Sequence, residues 1–208
     1  MVPEDTRAGL AAYFSGERNF DSSTTSPISN NPFIQNTDKI DTRDLKINET
    51  ERSHYAIAQK LKQMLMADAV PQNSTGISAD DVGVQLRVNS DVMFAAGSIE
   101  FLPQGKAVLD DVLKMLNEYN LYLVVRGHAD GNEAKPPFAS AWELSGARAA
   151  TLLHYLADNG VKPTRMRGIA YGDTRPLKPG ITEESRALNR RVEFHFHRPE
   201  VMSYSVVY

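Results

Sequence analysis

Two residues of opposite charge, Asp130 and Arg148, stand where a short apolar run gives way to a loop and where a helical pattern has just begun. A guanidinium can grip a carboxylate with two parallel hydrogen bonds, and a carboxylate can take an ammonium. Side by side, the two would therefore recognise a zwitterion. The same residues would serve equally as an ordinary surface ion pair, worth about 0–1 kcal/mol. Spacing alone leaves both readings open.

Other chemistries fit less well. His128 and Asp130, with Glu133 nearby, are metal-ligand types, but no second histidine is close to them in sequence. Ser145, His128 and Asp130 include the residue types of a catalytic triad. Ser145, however, falls inside a helical pattern, with neither a strained elbow nor an evident oxyanion hole. Gly168 and Gly172 around Tyr171 make no phosphate-binding fingerprint and read as a turn. The expectation is a binding protein with no catalytic residues, metal or cofactor.

The elements that must position Asp130 and Arg148 are legible. Residues 121–125, Leu-Tyr-Leu-Val-Val, read as a buried strand, and Gly127 lets the backbone pass close to a neighbour. Ser140-Ala141-Trp142-Glu143 is a capping-box pattern. The helix it opens has Leu144, Ala147, Thr151, Leu152, Tyr155 and Leu156 inward and ends at Asn159-Gly160. Strand end, loop and helix start bring Asp130 and Arg148 to one rim of a sheet, where α/β folds hold ligands.

Along the rest of the chain, residues 5–14 form a short helical candidate with Leu10, Tyr13 and Phe14 at helical spacing. Residues 17–48 are rich in Ser, Thr, Asn and Asp and read as a linker. These roughly 30 residues span on the order of 30 Å as a coil and about 100 Å when extended. An amphipathic helix with Tyr55, Ala58, Leu61, Leu65 and Ala69 in its stripe runs to Val70 and is stopped by Pro71. Residues 72–80 read as a polar loop, and Val82, Val84, Leu86 and Val88 as a half-buried strand whose pairing residues 91–94 continue. Residues 108–119 carry a helical apolar face, 166–171 a strand, and 189–196 a last strand with Val192, Phe194 and Phe196 on one face. Residues 201–208 are a tail, with an added strand as one reading.

The expected fold class is α/β in the α+β sense: a β-α-β-α-β-β mixed sheet backed by helices on one side. The segments are 1–16, 17–48, 49–80, the domain 81–198, and 199–208. A formal net charge of -3 and a pI near 6.0 give no basic field for nucleic acid. With no cysteine there is no disulfide framework and no thiol nucleophile. No apolar run approaches the roughly 20 residues that span a bilayer.

Four motifs occur in order: Gly127-His128-Ala129-Asp130, Leu144-Ser145-Gly146-Ala147-Arg148-Ala149, Gly172-Asp173-Thr174-Arg175-Pro176 and Asn189-Arg190-Arg191-Val192-Glu193. With them, residues 84–196 resemble the OmpA-like domain, a peptidoglycan-binding module of bacterial envelopes. Residues 93–100, Met-Phe-Ala-Ala-Gly-Ser-Ile-Glu, and residues 142–145, Trp-Glu-Leu-Ser, are most similar to the MotB and PomB family of ion-driven flagellar stator subunits. Residues 10–14 resemble that family's plug helix. The resemblance implies that Asp130 and Arg148 hold the zwitterionic end of a stem-peptide diamino acid, with Ser98 and Arg191 as further peptidoglycan contacts.

It also implies the periplasmic portion of a single-pass inner-membrane protein. Such a protein forms a homodimer and partners a MotA/PomA-like channel subunit and flagellar ring proteins. Three positions depart from the pattern: Ala129 where Thr is common, Ala141 where Asn is frequent, and Ala95 where many relatives carry Asp. The inserted segment 132–139 is a further source of contacts. Along the last strand, alternation sends one of Arg190 and Arg191 to the sheet surface and the other toward a helix, as ligand contacts or as structural ion pairs.

Overall fold

Residues 49–80 and 82–199 are described in the computed structural model of the chain. The expected plug-like helix, the linker and the 201–208 tail lie outside them. Helix α1 (Glu49–Ala67) is amphipathic as read, but its buried row is Ile57, Leu61 and Leu65, while Tyr55 is 65% exposed. Those three are aliphatic side chains at i, i+4 spacing, on one helix face. Tyr55 in that row would carry a hydroxyl inward that needs a partner. The polar stretch expected to be a loop instead holds strand β1 (Thr75–Ala79), paired antiparallel with β2 (Gly83–Asn89). It lies at the sheet edge, and of its five residues only Ile77, opposite Leu86, packs against the core. A half-buried edge strand carries almost no apolar alternation to read.

In β2, Val84, Leu86 and Val88 are fully buried, as their alternation predicts. The pairing does not continue through 91–94: Ser90–Met93 is a single helical turn, α2, closed by the Phe94 N–H on the Ser90 carbonyl. The three apolar residues Val92, Met93 and Phe94 are too few to be assigned by periodicity. Helix α3 (Pro103–Glu118) follows, then β3 (Tyr122–His128), α4 (Ala141–Asp158), β4 (Met166–Ala170), α5 (Glu183–Asn189) and β5 (Arg191–His197). The α5 helix was missed in the sequence, although Thr182 and Ser185 cap it reciprocally.

The sheet order is β1-β2-β5-β3-β4. Strand β5 is antiparallel to both neighbours, whereas β3 and β4 are parallel and joined by α4. Parallel strands require such a crossover, so the loops leaving β3 and β4 emerge at the same sheet edge. Side chains of α1, α3 and α4 form one apolar cluster with Val84, Leu86, Val88, Leu123, Val125, Val192, Phe194 and Phe196, so these helices cover a single face. On the other face the central strand carries buried Arg191, Glu193, His195 and His197. Among the described residues, no helix is long and apolar enough to cross a membrane.

Candidate functional site

The rim where β3 and β4 end depends first on backbone packing. A Cβ at Gly127 would lie 2.2 Å from the Ser145 carbonyl oxygen, so only glycine lets β3 and α4 approach this closely. Ser145 is fully buried. Its hydroxyl donates to the Trp142 carbonyl at 3.1 Å and accepts the Gly172 N–H at 3.0 Å. Ser145 thus clamps α4 to the loop after β4, a structural duty. At the α4 N-terminus, Ser140 Oγ accepts the Glu143 N–H at 3.2 Å, and Glu143 Oε2 accepts the Ala139 N–H at 2.7 Å. The two-way cap read from the sequence is present, with its return bond shifted one residue upstream.

Asp130 is half-buried at this rim, and its Oδ1 accepts the Asn132 N–H at 3.1 Å. It lines a cleft of about 210 Å³ together with His128, Asp173, Arg175, Asn189 and the glycines between them.

Arg148 does not open into that cleft. It is 1% exposed, its Nε donates to the Ser98 carbonyl at 3.0 Å, and its guanidinium lies 5.1 Å over the Phe94 ring. Nη1 is 2.7 Å from Glu133 Oε1 but off the line of a hydrogen bond. Glu133 Oε2 in turn accepts the Asp130 N–H at 3.4 Å. The expected pair therefore shares a rim but is bridged by a third residue, and the expectation of an open guanidinium is corrected. The physical cause lies in the departures noted above. Ala129, Ala141 and Leu144 form a small buried apolar patch, against which Ala134 and Phe138 of the inserted segment pack. Ala129 and Ala141 thus help seat the segment that delivers Glu133.

The other expected contacts are occupied within the fold. Ser98 presents its carbonyl to Arg148, and its hydroxyl accepts the Glu100 N–H at 3.0 Å. Arg191, 3% exposed, gives Nε to Glu193 at 2.8 Å, Nη1 to the Asn189 carbonyl and Nη2 to the Arg175 carbonyl. Arg190 pairs with Asp91 at 3.2 Å and Glu183 at 2.8 Å. Both arginines are structural ion pairs, and Arg191 fixes the backbone of one wall of the cleft.

From the sequence Glu133 enters only as a metal-ligand type, and Asp173, Arg175 and Asn189 only as members of motifs, with no site role given to them. For Asp173 and Arg175 the signal was present in the Gly172–Pro176 motif. Asn189 pins the cleft's outer loop by accepting the Leu177 and Lys178 N–H groups and donating to the Lys178 carbonyl.

At the base of the cleft His128 stacks on Tyr171, with ring centroids 5.0 Å apart. Burial pushes its pKa below the usual histidine value, so the ring is neutral near pH 7. Behind it, burial would raise the Glu193 pKa, but the approach of His128 and the hydrogen bond from Arg191 outweigh it and hold that carboxyl at about 2. This arrangement can bind a polar ligand; it contains no activated nucleophile.

Residues 93–190 match the OmpA family. A solved MotB-like protein from Desulfovibrio vulgaris is 27% identical and superposes with a TM-score of 0.66, covering 72% of this chain and 97% of that one. Motility protein B of Helicobacter pylori is 28% identical over 56% of this chain and 47% of its own length. The peptidoglycan-associated lipoprotein of Pseudomonas aeruginosa is 32% identical over 52% of this chain and 62% of its own. The chain spans about half the length of the curated relatives it matches. Over residues 93–190 the chain is thus similar to the OmpA family, and its fold is shared with the solved MotB-like protein.

Proposed function

We propose that this chain is the cell-wall-binding periplasmic region of a MotB-like flagellar stator subunit, which holds an ion-driven channel stationary by gripping peptidoglycan. The observation that carries this reading is the Asp130-lined cleft at the β3–β4 rim of an OmpA-like domain. Asp130 takes an ammonium of the wall peptide. Arg148 comes into contact with ligand only when Glu133 withdraws; with Glu133 in place it holds the inserted segment and the Ser98 turn that shape the rim. In this reading residues 1–16 plug the channel and 17–48 let the anchor reach outward. The chain dimerises and works beside a MotA/PomA-like subunit.

Co-sedimentation with purified sacculi tests the grip. Wild type should pellet with the sacculi. Asp130→Ala should stay in solution while losing only about 1 kcal/mol of stability, since one capping hydrogen bond is removed. A wild-type chain that remains in the supernatant overturns the proposal. Similarity to the lipoprotein favours one other reading, a wall tether without a motor. The gene's upstream coding sequence separates the two: a single membrane-spanning segment supports the stator, a lipidated cysteine the tether.

A further inference from the structure

The chain's single tryptophan, Trp142, is 49% exposed on the first turn of α4. A lone exposed apolar side chain assigns nothing by itself. The way this one is held does. A Cβ built on Gly172 would lie 3.2 Å from Cγ, 3.2 Å from Cδ2 and 3.3 Å from Cδ1 of the indole. A point almost equidistant from three atoms of a five-membered ring lies above that ring's centre. Gly172 is therefore under one face of the indole, and the opposite face is the one left to solvent. Gly172 has a φ of 54°, which disfavours any side chain there. Its backbone is bonded on both sides, the N–H to Ser145 Oγ and the carbonyl to the Ala129 N–H at 2.9 Å. The ring thus rests on a fixed support. Its neighbours on the next turn of α4 are buried Ser145 and Gly146, so no long side chain stands over it from there.

The surroundings of the ring are polar. Glu143 follows it on the helix, Asp173 and Thr174 follow its support, and all three are exposed. A tryptophan that anchors a protein partner has an apolar surround that shuts out water. A rigid aromatic face bordered by carboxylates and a hydroxyl fits a pyranose instead. The C–H bonds on one face of such a sugar are weakly positive and lie against the negative face of the ring, while its hydroxyls point outward to acceptors. With the ring already fixed, little conformational freedom is lost on binding. Gly172 also lines the cleft that holds Asp130, so the indole stands at the lip of that cleft, one residue's backbone away from it.

We propose that Trp142 is a sugar platform: its open face stacks on an amino-sugar ring of the wall's glycan, outside the cleft that takes the peptide. The inference rests on the wall-binding reading and adds a second subsite to it, one that recognises the glycan without its peptide.

Fluorescence of the full chain tests this, because all tryptophan emission comes from the platform itself. Wild type titrated with glycan strands stripped enzymatically of their peptides should show a saturable shift in emission and weaker quenching by acrylamide. Asp130→Ala should respond in the same way, since the probe carries no peptide. In calorimetry with the same strands, Trp142→Ala should bind roughly tenfold more weakly, and Trp142→Phe, which keeps a ring over Gly172, within about threefold of wild type. Emission and quenching that do not change with the strands, a response lost in Asp130→Ala, or wild-type affinity in Trp142→Ala overturns the platform. The wild-type titration decides the matter even where Trp142→Ala fails to fold. If intact sacculi still pellet the wild type when the platform fails, only this subsite is lost. A wild type that binds neither the strands nor sacculi overturns both readings.

Discussion

Two guanidinium sites lie on the same rim, and they differ in what surrounds them. Arg148 is enclosed: Phe94 lies beneath it, the Ser98 carbonyl takes its Nε, and Glu133 closes the remaining side. Arg175 lies on a tyrosine in an exposed loop, beside a cleft lined by two carboxylates. A charge removed from water must be neutralised where it stands, so Arg148 is committed to its internal partner. A charge left at the surface keeps its donors for a visitor. The same chemistry thus serves architecture in one place and stays open to solvent in the other, and the deciding variable is whether an internal carboxylate arrives first.

The sharpest way to break this contrast is to remove the enclosed cation. From spacing alone, Arg148→Ala is a clean binding-site variant. Enclosed as it is, its loss strands the Glu133 carboxylate, and the expected cost is about 3–5 kcal/mol, read as a lower denaturant midpoint. If the midpoint stays at the wild-type value, the pair is open in solution and the contrast is wrong.

Lowering the pH tests whether stability and binding are separable. Burial, and then the charge of Arg126, push the His195 pKa from 6.5 to about 4. A base whose folded pKa is lowered contributes stability that is complete above pH 6.5 and is lost as pH falls toward 4, because the unfolded chain takes the proton first. At about 1.4 kcal/mol per unit the loss is on the order of 3 kcal/mol. His195→Gln should flatten that slope, and it should leave co-sedimentation with sacculi at pH 7 untouched, since His195 does not line the cleft.

The smallest effect is expected at the cap of α4. Ser140→Ala removes the acceptor for the Glu143 N–H, costing about 1 kcal/mol in thermal unfolding. Because α4 carries Arg148, the first sign of loosening should be faster hydrogen exchange in the inserted segment. Uniform exchange across the domain would instead show that the enclosed pair and the cap are uncoupled.

Much of the fold could be read before any coordinates. The alternation of Val84, Leu86 and Val88, the capping signal at Ser140 and the glycine at 127 all report local geometry, and each is realised. Strand β1 was illegible because an edge strand with one core side chain leaves no periodicity. The turn at Ser90–Met93 was misread because Val-Met-Phe suits a strand and a buried helical turn alike. At the site, Asp130 was found from its place at a strand end. The pairing of Glu133 with Arg148 was not, because nothing local says that a loop residue will turn inward.

The amino-acid sequence by itself determined the longer elements, the crossover that joins β3 to β4, and hence the rim at which Asp130 and Arg148 both stand. These follow from periodicity, capping and handedness, which act over a few residues at a time. Only the tertiary structure decided which charges are accessible. Ala129 and Ala141 come together with Leu144 as an apolar seat, Phe138 and Ala134 dock on it, and Glu133 is carried onto Arg148. Accessibility depends on side chains that are remote in sequence and meet only through packing, and no local pattern encodes which of two arginines that packing will cover.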